Sequence, residues 1–331
     1  MGGCRIAAIF AVVAGMTGQR KLLVILGPTA SGKSSLAVAV ARRTGAEILS
    51  VDSMQVYRGM DVGTAKPSLA EQHEIRHHLL DWLRPDETFS VARFVELADQ
   101  TIADARRRGV PLIATGGTPM YYKALFEGLF EGPGADEAIR ARLRPLSGEE
   151  LHARLAAIDP AAAARIHPAD QKRLVRALEV HELTGKPISS LQNEWQSSQA
   201  HRHEAVWVGL LWEREALNRR INARVKDMIA AGWVEEVRQL LERHPKLSKT
   251  AAEATGYHEL IEHVRGRMSL EDAVEQIKIA TRQLARRQMK WFKRFPNVTW
   301  LRGDAPLEEN LEQVMTLWRS SIPSPGNPGE G

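Results

Sequence analysis

The clearest chemical signal in the chain is one short run, Gly27-Pro28-Thr29-Ala30-Ser31-Gly32-Lys33-Ser34. It matches the pattern G-x-x-x-x-G-K-[ST] of the phosphate-binding loop, in which backbone N–H groups and a lysine hold phosphates. The last hydroxyl of such a loop is a ligand for Mg²⁺, so Ser34 is the predicted metal ligand. The run therefore predicts a site for a phosphorylated ligand and Mg²⁺. It does not specify ATP, and a glycine-rich turn without a ligand is the alternative.

Asp52 is the second candidate, because it directly follows an apolar run at 46–51 (AEILSV) of strand length. Ligands of open α/β sheets bind at the carboxyl ends of strands, so this carboxylate is expected beside the phosphate-binding loop. It suits a general base, a Mg²⁺-linked acid or a helix cap. A third apolar run, 110–114 (VPLIA), ends in Thr115-Gly116-Gly117-Thr118 without the acid of a Walker B strand. That absence argues against a motor ATPase.

Two predicted helices carry clustered basic residues. Arg220 and Arg224 are four residues apart and share a helix face, where they suit either a diphosphate clamp or a solvated surface. Farther along, basic residues recur every fourth position in a stretch that contains no acid: Lys278, Arg282, Arg286, Lys290 and Arg294. Such a stripe favours a nucleic-acid backbone over an ordinary charged surface, and Trp291 and Phe292 are interleaved with it.

His73-Glu74-Ile75-Arg76-His77 formally matches H-E-x-x-H, the helix motif of zinc proteases. A zinc site of that kind needs a third ligand and an active-site helix whose glutamate is free to act. The motif here follows a proline-containing loop and runs into His78-Leu79-Leu80-Asp81. A zinc protease is therefore a weak rival hypothesis.

The elements that must position these residues alternate as β-α-β-α-β-α up to residue 125, which is typical of a parallel sheet. Strands are predicted at 21–26, 46–51, 110–114, 205–211 and 298–301. From 126 to 204 only short helices are predicted, at 136–143, 148–158, 160–166, 170–184 and 189–195. Longer helices follow at 214–231, 234–243, 256–264 and 270–295. We expect an α/β fold, with a P-loop NTPase-like parallel sheet formed by 21–125 and 205–318, flanking helices, and a helical insertion domain at 126–204.

The composition is that of a globular chain that can bury a sizeable core. The chain has 331 residues, 44% of them hydrophobic, a formal charge of +5 and a single cysteine, Cys4. A disulfide framework and a cysteine-based zinc site are thereby excluded, and no apolar run reaches membrane-spanning length. Arg5 and the apolar run 6–16 resemble a short signal-peptide core, but we favour a disordered extension at 1–20. A disordered tail is expected at 319–331.

As a set, several stretches make the chain similar to the tRNA dimethylallyltransferases, also called tRNA isopentenyltransferases. They are GPTASGKS (27–34), SVDSMQVY (50–57), GMDVGTAKP (59–67), GGTPMYY (116–122), AARIHP (163–168), KRLVRALEV (172–180), Gly256-Tyr257 and ATRQLARRQ (280–288). The resemblance implies transfer of a dimethylallyl group from dimethylallyl diphosphate to N6 of the adenosine 3′ of the anticodon (A37), in tRNAs that read codons beginning with U. It implies a Mg²⁺-dependent, cytoplasmic enzyme whose partner is the tRNA anticodon stem-loop. We expect a monomer without membrane contact.

The resemblance also assigns roles to residues. Asp52, Lys33 and Arg220 are implied as catalytic, with Asp52 as the base for the adenine amine. The diphosphate would be held by Gly27, Thr29, Ala30, Ser31, Gly32, Lys33, Ser34, Arg220 and Arg224. The tRNA would be contacted by Asp52, Ser53, Met54, Gln55, Thr118, Arg140, Lys172, Arg173, Arg176, Gly256, Tyr257, Arg282 and Arg286.

Four alternatives to this function stay open at this point. A small-molecule P-loop kinase would use the same loop with Asp52 as base for a hydroxyl. A free-nucleotide isopentenyltransferase would share the chemistry without the RNA. The zinc protease and a non-catalytic RNA-binding module complete the set. The acid-free helix and the insertion favour an RNA substrate, and comparison of tRNA with AMP as acceptor separates the two transferases.

Overall fold

The structure is a computed structural model that describes residues 21–128, 132–197 and 202–321. The predicted N-terminal extension (1–20) lies outside the described residues, as does the predicted tail from residue 322 onward. The start of that tail was predicted at residue 319, but residues 319 and 320 belong to a helix. Within those ranges, none of the helices is both long enough and apolar enough to cross a bilayer.

The centre of the fold is a six-stranded sheet in which every pairing is parallel, as the alternating pattern predicts. The spatial order is β3-β2-β4-β1-β5-β6. The strands are β1 (Leu22–Leu26), β2 (Glu47–Ser50), β3 (His77–His78), β4 (Leu112–Thr115), β5 (Ala205–Leu211) and β6 (Val298–Arg302). Strand β3 was not expected from the sequence, because two histidines at a sheet edge carry no apolar run.

Strand β1 lies inside the sheet, between β4 and β5. All five of its residues are apolar and buried, as expected for a strand covered on both faces. In the register, Leu23 pairs with Ile113 of β4 and with Val206 of β5. The phosphate-binding loop therefore leaves the middle of the sheet at its carboxyl edge, where α/β proteins bind their ligands.

Helices account for most of the remaining described residues. In chain order they are α1 (Lys33–Thr44), α2 (Leu69–Glu74), α3 (Val91–Arg107), α4 (Pro119–Glu127), α5 (Glu137–Leu143), α6 (Gly148–Ile158), α7 (Pro160–Ala163), α8 (Gln171–Thr184), α9 (Ile188–Ser197), α10 (Arg214–Ala230), α11 (Trp233–Arg243), α12 (Lys249–Ala252), α13 (Tyr257–Val264), α14 (Leu270–Phe292) and α15 (Leu307–Ser320). Helices α2, α12 and α15 lie outside the elements that sequence patterns mark.

The chain divides into two compact units. Phe126–Arg202 form one, and the rest of the described chain forms the other, which contains the whole sheet. The first unit is helical and has its own apolar core, contributed mainly by Leu151, Leu155, Leu174 and Leu178. Since a core of its own is what an independent unit needs, the helical segment is a domain and not a long surface loop.

A second apolar core within the sheet-containing unit is built around Trp233, which is 2% exposed. Two glycines pack against its indole. A Cβ on Gly63 would lie 2.1 Å from Trp233 Nε1, and one on Gly256 would lie 2.1 Å from Cη2. Gly256 also has φ of 90°, which disfavours any other residue. The indole therefore fixes the loop that contains Gly63 against the start of α13.

Candidate active site

The phosphate-binding loop joins β1 to α1 in a tight turn. Ala30 and Gly32 both have positive φ, 63° and 91°, and Ser31 N–H donates to Pro28 O at 3.2 Å. The first helical bond runs from Leu36 N–H to Gly32 O. The N–H groups before Leu36 therefore have no acceptor within the helix, which is the arrangement that binds anions at a helix N-terminus.

Two elements far along the chain pack beneath this loop. Ala30 contacts a small apolar cluster formed by Leu217 and Ile221 of α10 and Ala285 of α14. Trp212 donates from Nε1 to Ser31 O at 2.9 Å. The loop is thus held from outside as well as by its own turn, so its backbone donors keep their positions before a ligand arrives.

Three cations border the loop. The Arg220 Nε donates to Ala30 O at 2.9 Å, and its guanidinium lies 4.6 Å from the centroid of the Trp212 ring. Burial, helped by the positive charge of Arg224, lowers the pKa of Lys33 to about 8, against a smaller opposing effect of Asp52. Burial and the neighbouring Arg220 likewise lower the pKa of Arg224. Like charges brought this close, with Asp52 as the opposing carboxylate, favour binding of an anion.

Magnesium fits this site only with a ligand that supplies most of the oxygens. Ser34 is exposed in the first turn of α1. At the end of β4, Thr115 takes the position of the Walker B acid, and its hydroxyl donates to Ile25 O at 3.1 Å. Within the described ranges, no three His, Cys, Asp or Glu side chains converge on one point. A Mg²⁺ ion held by Ser34 and substrate phosphates suits this donor set, because Mg²⁺ commonly keeps water and phosphate ligands.

Asp52 lies beside the loop, at the carboxyl end of β2. Its Oδ1 accepts from Met54 N–H at 2.9 Å, and its Oδ2 accepts from Gly117 N–H at 3.2 Å. Gly116 makes this approach possible, since a Cβ there would lie 2.1 Å from Val51 O. Two backbone donors therefore fix the carboxylate between the ends of β2 and β4.

Gln288 of α14 connects the two halves of the site, and sequence reasoning did not single it out. Its Oε1 accepts from Thr29 N–H at 2.8 Å, and its Nε2 donates to Gly117 O at 2.7 Å. A single glutamine in a basic helix matches no sequence motif that would mark it as functional. Its position at the end of the segment 280–288, one of the stretches that carry the family resemblance, was the one feature that could have indicated it.

Ser53 and Thr118 meet next to Asp52. Ser53 N–H donates to Thr118 Oγ1 at 3.0 Å, and the two hydroxyls are 3.2 Å apart. Thr118 directly precedes α4, and its hydroxyl binds the Asp52 loop. Gln55 is used differently: its Oε1 accepts from Ser50 Oγ, and its Nε2 donates to Thr64 O and Ala65 O. Its side chain therefore holds the loop at 59–67 to β2.

Gly256 and Tyr257 lie within the Trp233 core. Tyr257 is 1% exposed, and its hydroxyl donates to Glu236 Oε1 at 2.6 Å. Glu236 also accepts from the backbone N–H groups of Asp61, Val62 and Gly63. In this structure the Tyr257 side chain is not presented to a ligand, so its observed role is to position the loop at 59–67.

In the helical unit, two predicted RNA-contacting arginines bind one buried carboxylate. Arg140 donates from Nε and Nη2 to the two oxygens of Glu179 at 2.8 and 3.1 Å, and Arg176 donates to Oε2 at 2.7 Å. Glu179 is fully buried, whereas the arginine side chains are about a third exposed. Lys172 and Arg173 are exposed at the start of α8. Arg140 and Arg176 thus bind Glu179 within the helical unit, while part of each guanidinium side chain remains exposed to solvent.

The basic stripe of α14 is less uniform than its spacing suggests. Lys278 is buried, and its Nζ pairs with Glu275 at 2.6 Å, one turn before the acid-free stretch. Arg282 donates to Asn222 Oδ1 at 2.6 Å. Arg286 and Lys290 are exposed. The surface available to a polyanion therefore begins about one turn later than the sequence pattern predicts.

The H-E-x-x-H segment does not form a zinc helix. Helix α2 ends at Glu74, and His77 belongs to strand β3. Glu74 is paired with Arg42 at 2.7 Å, and His77 Nδ1 is bound to Ile75 O. The two histidines are therefore not on one helix face, and the glutamate is not free to act as a base, so the geometry contradicts the zinc-protease hypothesis.

Two family models match the chain. The model for IPP transferase matches residues 55–295, and the model for isopentenyl transferase matches residues 20–87. The tRNA dimethylallyltransferase of Geobacter metallireducens is 46% identical over 309 residues, which cover 91% of this chain and 98% of that protein. The tRNA dimethylallyltransferase of Geobacillus kaustophilus is 47% identical over 287 residues, which cover 85% and 90%.

Solved structures agree with these matches. The tRNA isopentenylpyrophosphate transferase of Bacillus halodurans has a TM-score of 0.67 and 35% identity, covering 91% of this chain and 98% of that one. A eukaryotic dimethylallyltransferase, described as acting on tRNA, has a TM-score of 0.79 and 28% identity. The match covers 93% of this chain and 81% of that one. The likeness therefore extends over both the sheet and the helical unit.

Proposed function

The chain belongs to the tRNA dimethylallyltransferase family, and from this membership we infer that it is an enzyme that transfers a prenyl group to tRNA. The finer reaction that we propose uses dimethylallyl diphosphate as donor and N6 of the adenosine 3′ of the anticodon as acceptor, in tRNAs that read codons beginning with U. Its RNA substrate makes the cytoplasm the proposed site of action.

The observation that carries this proposal is the single carboxylate of Asp52 beside a phosphate cradle bordered by three cations. Its two oxygens accept from Met54 N–H and Gly117 N–H, which leaves further lone pairs for a substrate proton. A hydrolase of nucleoside triphosphates would instead use an acid at the end of β4, where this chain has Thr115.

The proposed step balances as a substitution at carbon. The bond between C1 of the allyl group and the diphosphate oxygen breaks, and the bond from adenine N6 to C1 forms. N6 passes a proton to Asp52, and diphosphate leaves with the electron pair. An exocyclic amine is a weak nucleophile because its lone pair is delocalised into the ring, so a positioned base assists as the bond forms.

The cations and the loop backbone act on the leaving group. Negative charge grows on the diphosphate as the C–O bond breaks, and Lys33, Arg220, Arg224 and the free N–H groups are arranged to stabilise it. Bound Mg²⁺, held by Ser34 and phosphate oxygens, would neutralise part of this charge. The loop is held rigidly by α10 and α14, so little reorganisation is needed when the charge develops.

The RNA side of the proposal rests on residues around Asp52 and on basic surfaces. Met54 N–H binds the carboxylate, and Ser53 and Thr118 meet next to it. These residues and the nearby Gln55 would border the target base. An adenine must leave its stack to reach this position, which costs a few kcal/mol. Phosphate contacts offset such a cost, and the exposed cations that we propose for them are Lys172 and Arg173 on α8 and Arg286 on α14.

The test is incubation of the full chain with dimethylallyl diphosphate, Mg²⁺ and an anticodon stem-loop that carries the target adenosine, with mass spectrometry of the RNA. We expect one dimethylallyl group on that adenosine and one diphosphate released for each. A stem-loop with guanosine at the position is the matched control. AMP as acceptor tests the free-nucleotide enzyme, and ATP with small hydroxyl acceptors tests the kinase. RNA of unchanged mass would contradict the proposal.

A further inference from the structure

The buried side chain of Gln288 lies where the diphosphate cradle and the Asp52 loop come together. It is 5% exposed, in the penultimate turn of α14. A buried amide needs partners for its donor and its acceptor, and both partners of Gln288 are backbone groups of the site: Thr29 N–H and Gly117 O. Because an N–H can only donate and a carbonyl can only accept, the orientation of the amide is fixed by its partners.

Both partners of Gln288 belong to segments of the proposed active site. Thr29 lies in the loop that holds the phosphates, five residues before Ser34. Gly117 donates its own N–H to Asp52 Oδ2 at 3.2 Å. One side-chain amide therefore joins the cradle of the leaving group to the residue that holds the base.

The space around Gly117 shows how closely these groups approach each other. A Cβ on Gly117 would lie 2.8 Å from Gln288 Nε2 and 3.1 Å from Asp52 Oδ2. Gln288 and Asp52 thus border the same small volume, which a methyl group would overfill. A shift of the amide is therefore transmitted to the Gly117 peptide and to the carboxylate that it binds.

We propose that Gln288 is a positioning residue that sets the separation between the diphosphate cradle and the Asp52 carboxylate, and so aligns N6, the allyl carbon and the leaving oxygen. The proposal rests on the proposed reaction and adds to it a residue that touches neither substrate. Substitution at carbon needs the nucleophile and the leaving group in line, and a displacement of about 1 Å costs on the order of 100-fold in rate.

The test is a single-turnover assay of the full chain with Gln288→Met, which keeps the side-chain length and removes both hydrogen bonds. We expect the rate constant of transfer at saturating substrates to fall about 100-fold. The dissociation constants for dimethylallyl diphosphate and for the stem-loop should change less than about threefold. Gln283→Met, an exposed position on the same helix, is the control and should match the wild type.

A merely structural role would lower the amplitude of the single turnover, because fewer molecules would be folded, and would leave its rate constant unchanged. If Gln288→Met does not fold, Gln288→Glu carries the test, since it keeps the acceptor for Thr29 N–H and loses the donor to Gly117 O. Its rate constant at saturation should also fall at least about tenfold.

A rate constant within threefold of the wild type, or a defect confined to weaker diphosphate binding, would overturn the inference. An equal loss in Gln283→Met would also overturn it. Failure of the wild-type chain to prenylate the stem-loop would overturn the proposed reaction itself, so the two failures are distinguishable.

Discussion

At the scale of single residues, Asp52 is held in a way that suits proton transfer. Two backbone donors fix the carboxylate at the end of β2, so its position does not depend on a bound substrate. A base in a fixed position contributes on the order of 100- to 10,000-fold to a rate.

The first prediction concerns this carboxylate. Asp52→Asn keeps an oxygen for Met54 N–H but cannot take up a proton, so we expect the rate of transfer to fall about 100- to 10,000-fold. Affinity for the stem-loop should stay within about threefold. Asp304→Asn, at an exposed position paired with Arg302, is the control and should transfer at the rate of the wild type. An unimpaired rate in Asp52→Asn, measured with saturating substrates, would exclude Asp52 as the base.

The second prediction is a pH dependence of diphosphate binding. The proposed contact between Lys33 and the anion needs the charged form of the side chain, and a pKa of about 8 without ligand means that the charge is lost above that pH. A bound diphosphate raises this pKa, so affinity should be constant below pH 8 and should fall up to about tenfold per pH unit above it. Calorimetry with inorganic diphosphate between pH 7 and 9.5 measures this. Lys33→Arg stays charged and should lose the dependence; a persistent slope would assign it to another group.

At the scale of elements, the buried carboxylate of Glu179 on α8 binds Arg140 of α5 and so joins two helices of the helical unit. Burial alone would raise the pKa of Glu179, but hydrogen bonds from Arg140, Arg176 and Asp136 N–H outweigh it and hold the pKa below its ordinary value. A depressed carboxyl pKa stabilises the folded state above the unfolded pKa, and this stabilisation is lost as the pH falls through the folded value.

The third prediction follows from that network. Glu179→Gln leaves two arginines without their counter-charge, and we expect the helical unit to lose about 3 kcal/mol. Hydrogen exchange of α5, α6 and α8 measures the loss. Glu182→Gln removes an exposed pair with Arg142 and should cost under about 1 kcal/mol. In the Glu179→Gln variant, hydrogen exchange in these helices should also accelerate less as the pH falls. An equal loss of stability in Glu179→Gln and Glu182→Gln would refute the prediction.

The fourth prediction concerns α14. If exposed cations of this helix contact the RNA backbone, Arg286→Glu should weaken stem-loop binding and reduce the slope of log K against log salt concentration by about 1. Affinity for dimethylallyl diphosphate should not change. Arg319→Glu, an exposed position on α15, gives the same charge change elsewhere and serves as control. Equal slopes for the two variants would show that the helix does not contact RNA.

The sequence predicted elements well where one pattern dominated. The phosphate-binding loop, the parallel sheet and α14 followed from the loop motif, the apolar runs and the helical period. Strand β3 and helices α2 and α12 did not, because they are two, six and four residues long and carry no apolar periodicity. Helix α15 was missed as well, although its buried residues Leu311, Val314, Met315 and Trp318 have helical spacing. Spacing also could not show that Lys278 is buried against Glu275, since that depends on which face α14 turns inward.

The candidate site was predicted only in part, because contacts between residues far apart in the chain leave no local sequence pattern. A strand end marks Asp52 and the loop motif marks Lys33, whereas the spacing of Arg220 left a solvated surface open and only the resemblance proposed it as a diphosphate ligand. The structure places all three side chains near the loop. Gln288 reaches the site through a contact between residues 259 positions apart in the chain. Tyr257 and Gln55 were predicted to contact RNA, whereas the observed bonds of their side chains support the loop at 59–67. Family stretches identify important residues without separating those that touch a substrate from those that hold a loop.

At the scale of the whole molecule, the two units are expected to respond differently to the two substrates. The proposed diphosphate site lies in the sheet-containing unit, and a ligand at 100 times its dissociation constant stabilises the fold that binds it by about 2.7 kcal/mol. The fifth prediction is that diphosphate slows hydrogen exchange in β1, α1 and β4 but not in α5–α8, whereas the stem-loop slows exchange in both units. Protection of α5–α8 by diphosphate alone would contradict it. Lys33→Met, which should bind no diphosphate, is the control.

The packing around Trp233 has a consequence for how this chain can change over evolutionary time. Gly63, Trp233 and Gly256 come from three separate segments, yet a side chain at either glycine would overlap the indole. The effects of substitutions at the three positions should therefore be strongly non-additive. A larger residue at position 63 or 256 therefore requires that a smaller residue first replace Trp233. A single substitution at either glycine, with Trp233 still present, should destabilise the fold. We therefore expect packing against Trp233 to restrict which residues the loop at 59–67 can accept at position 63.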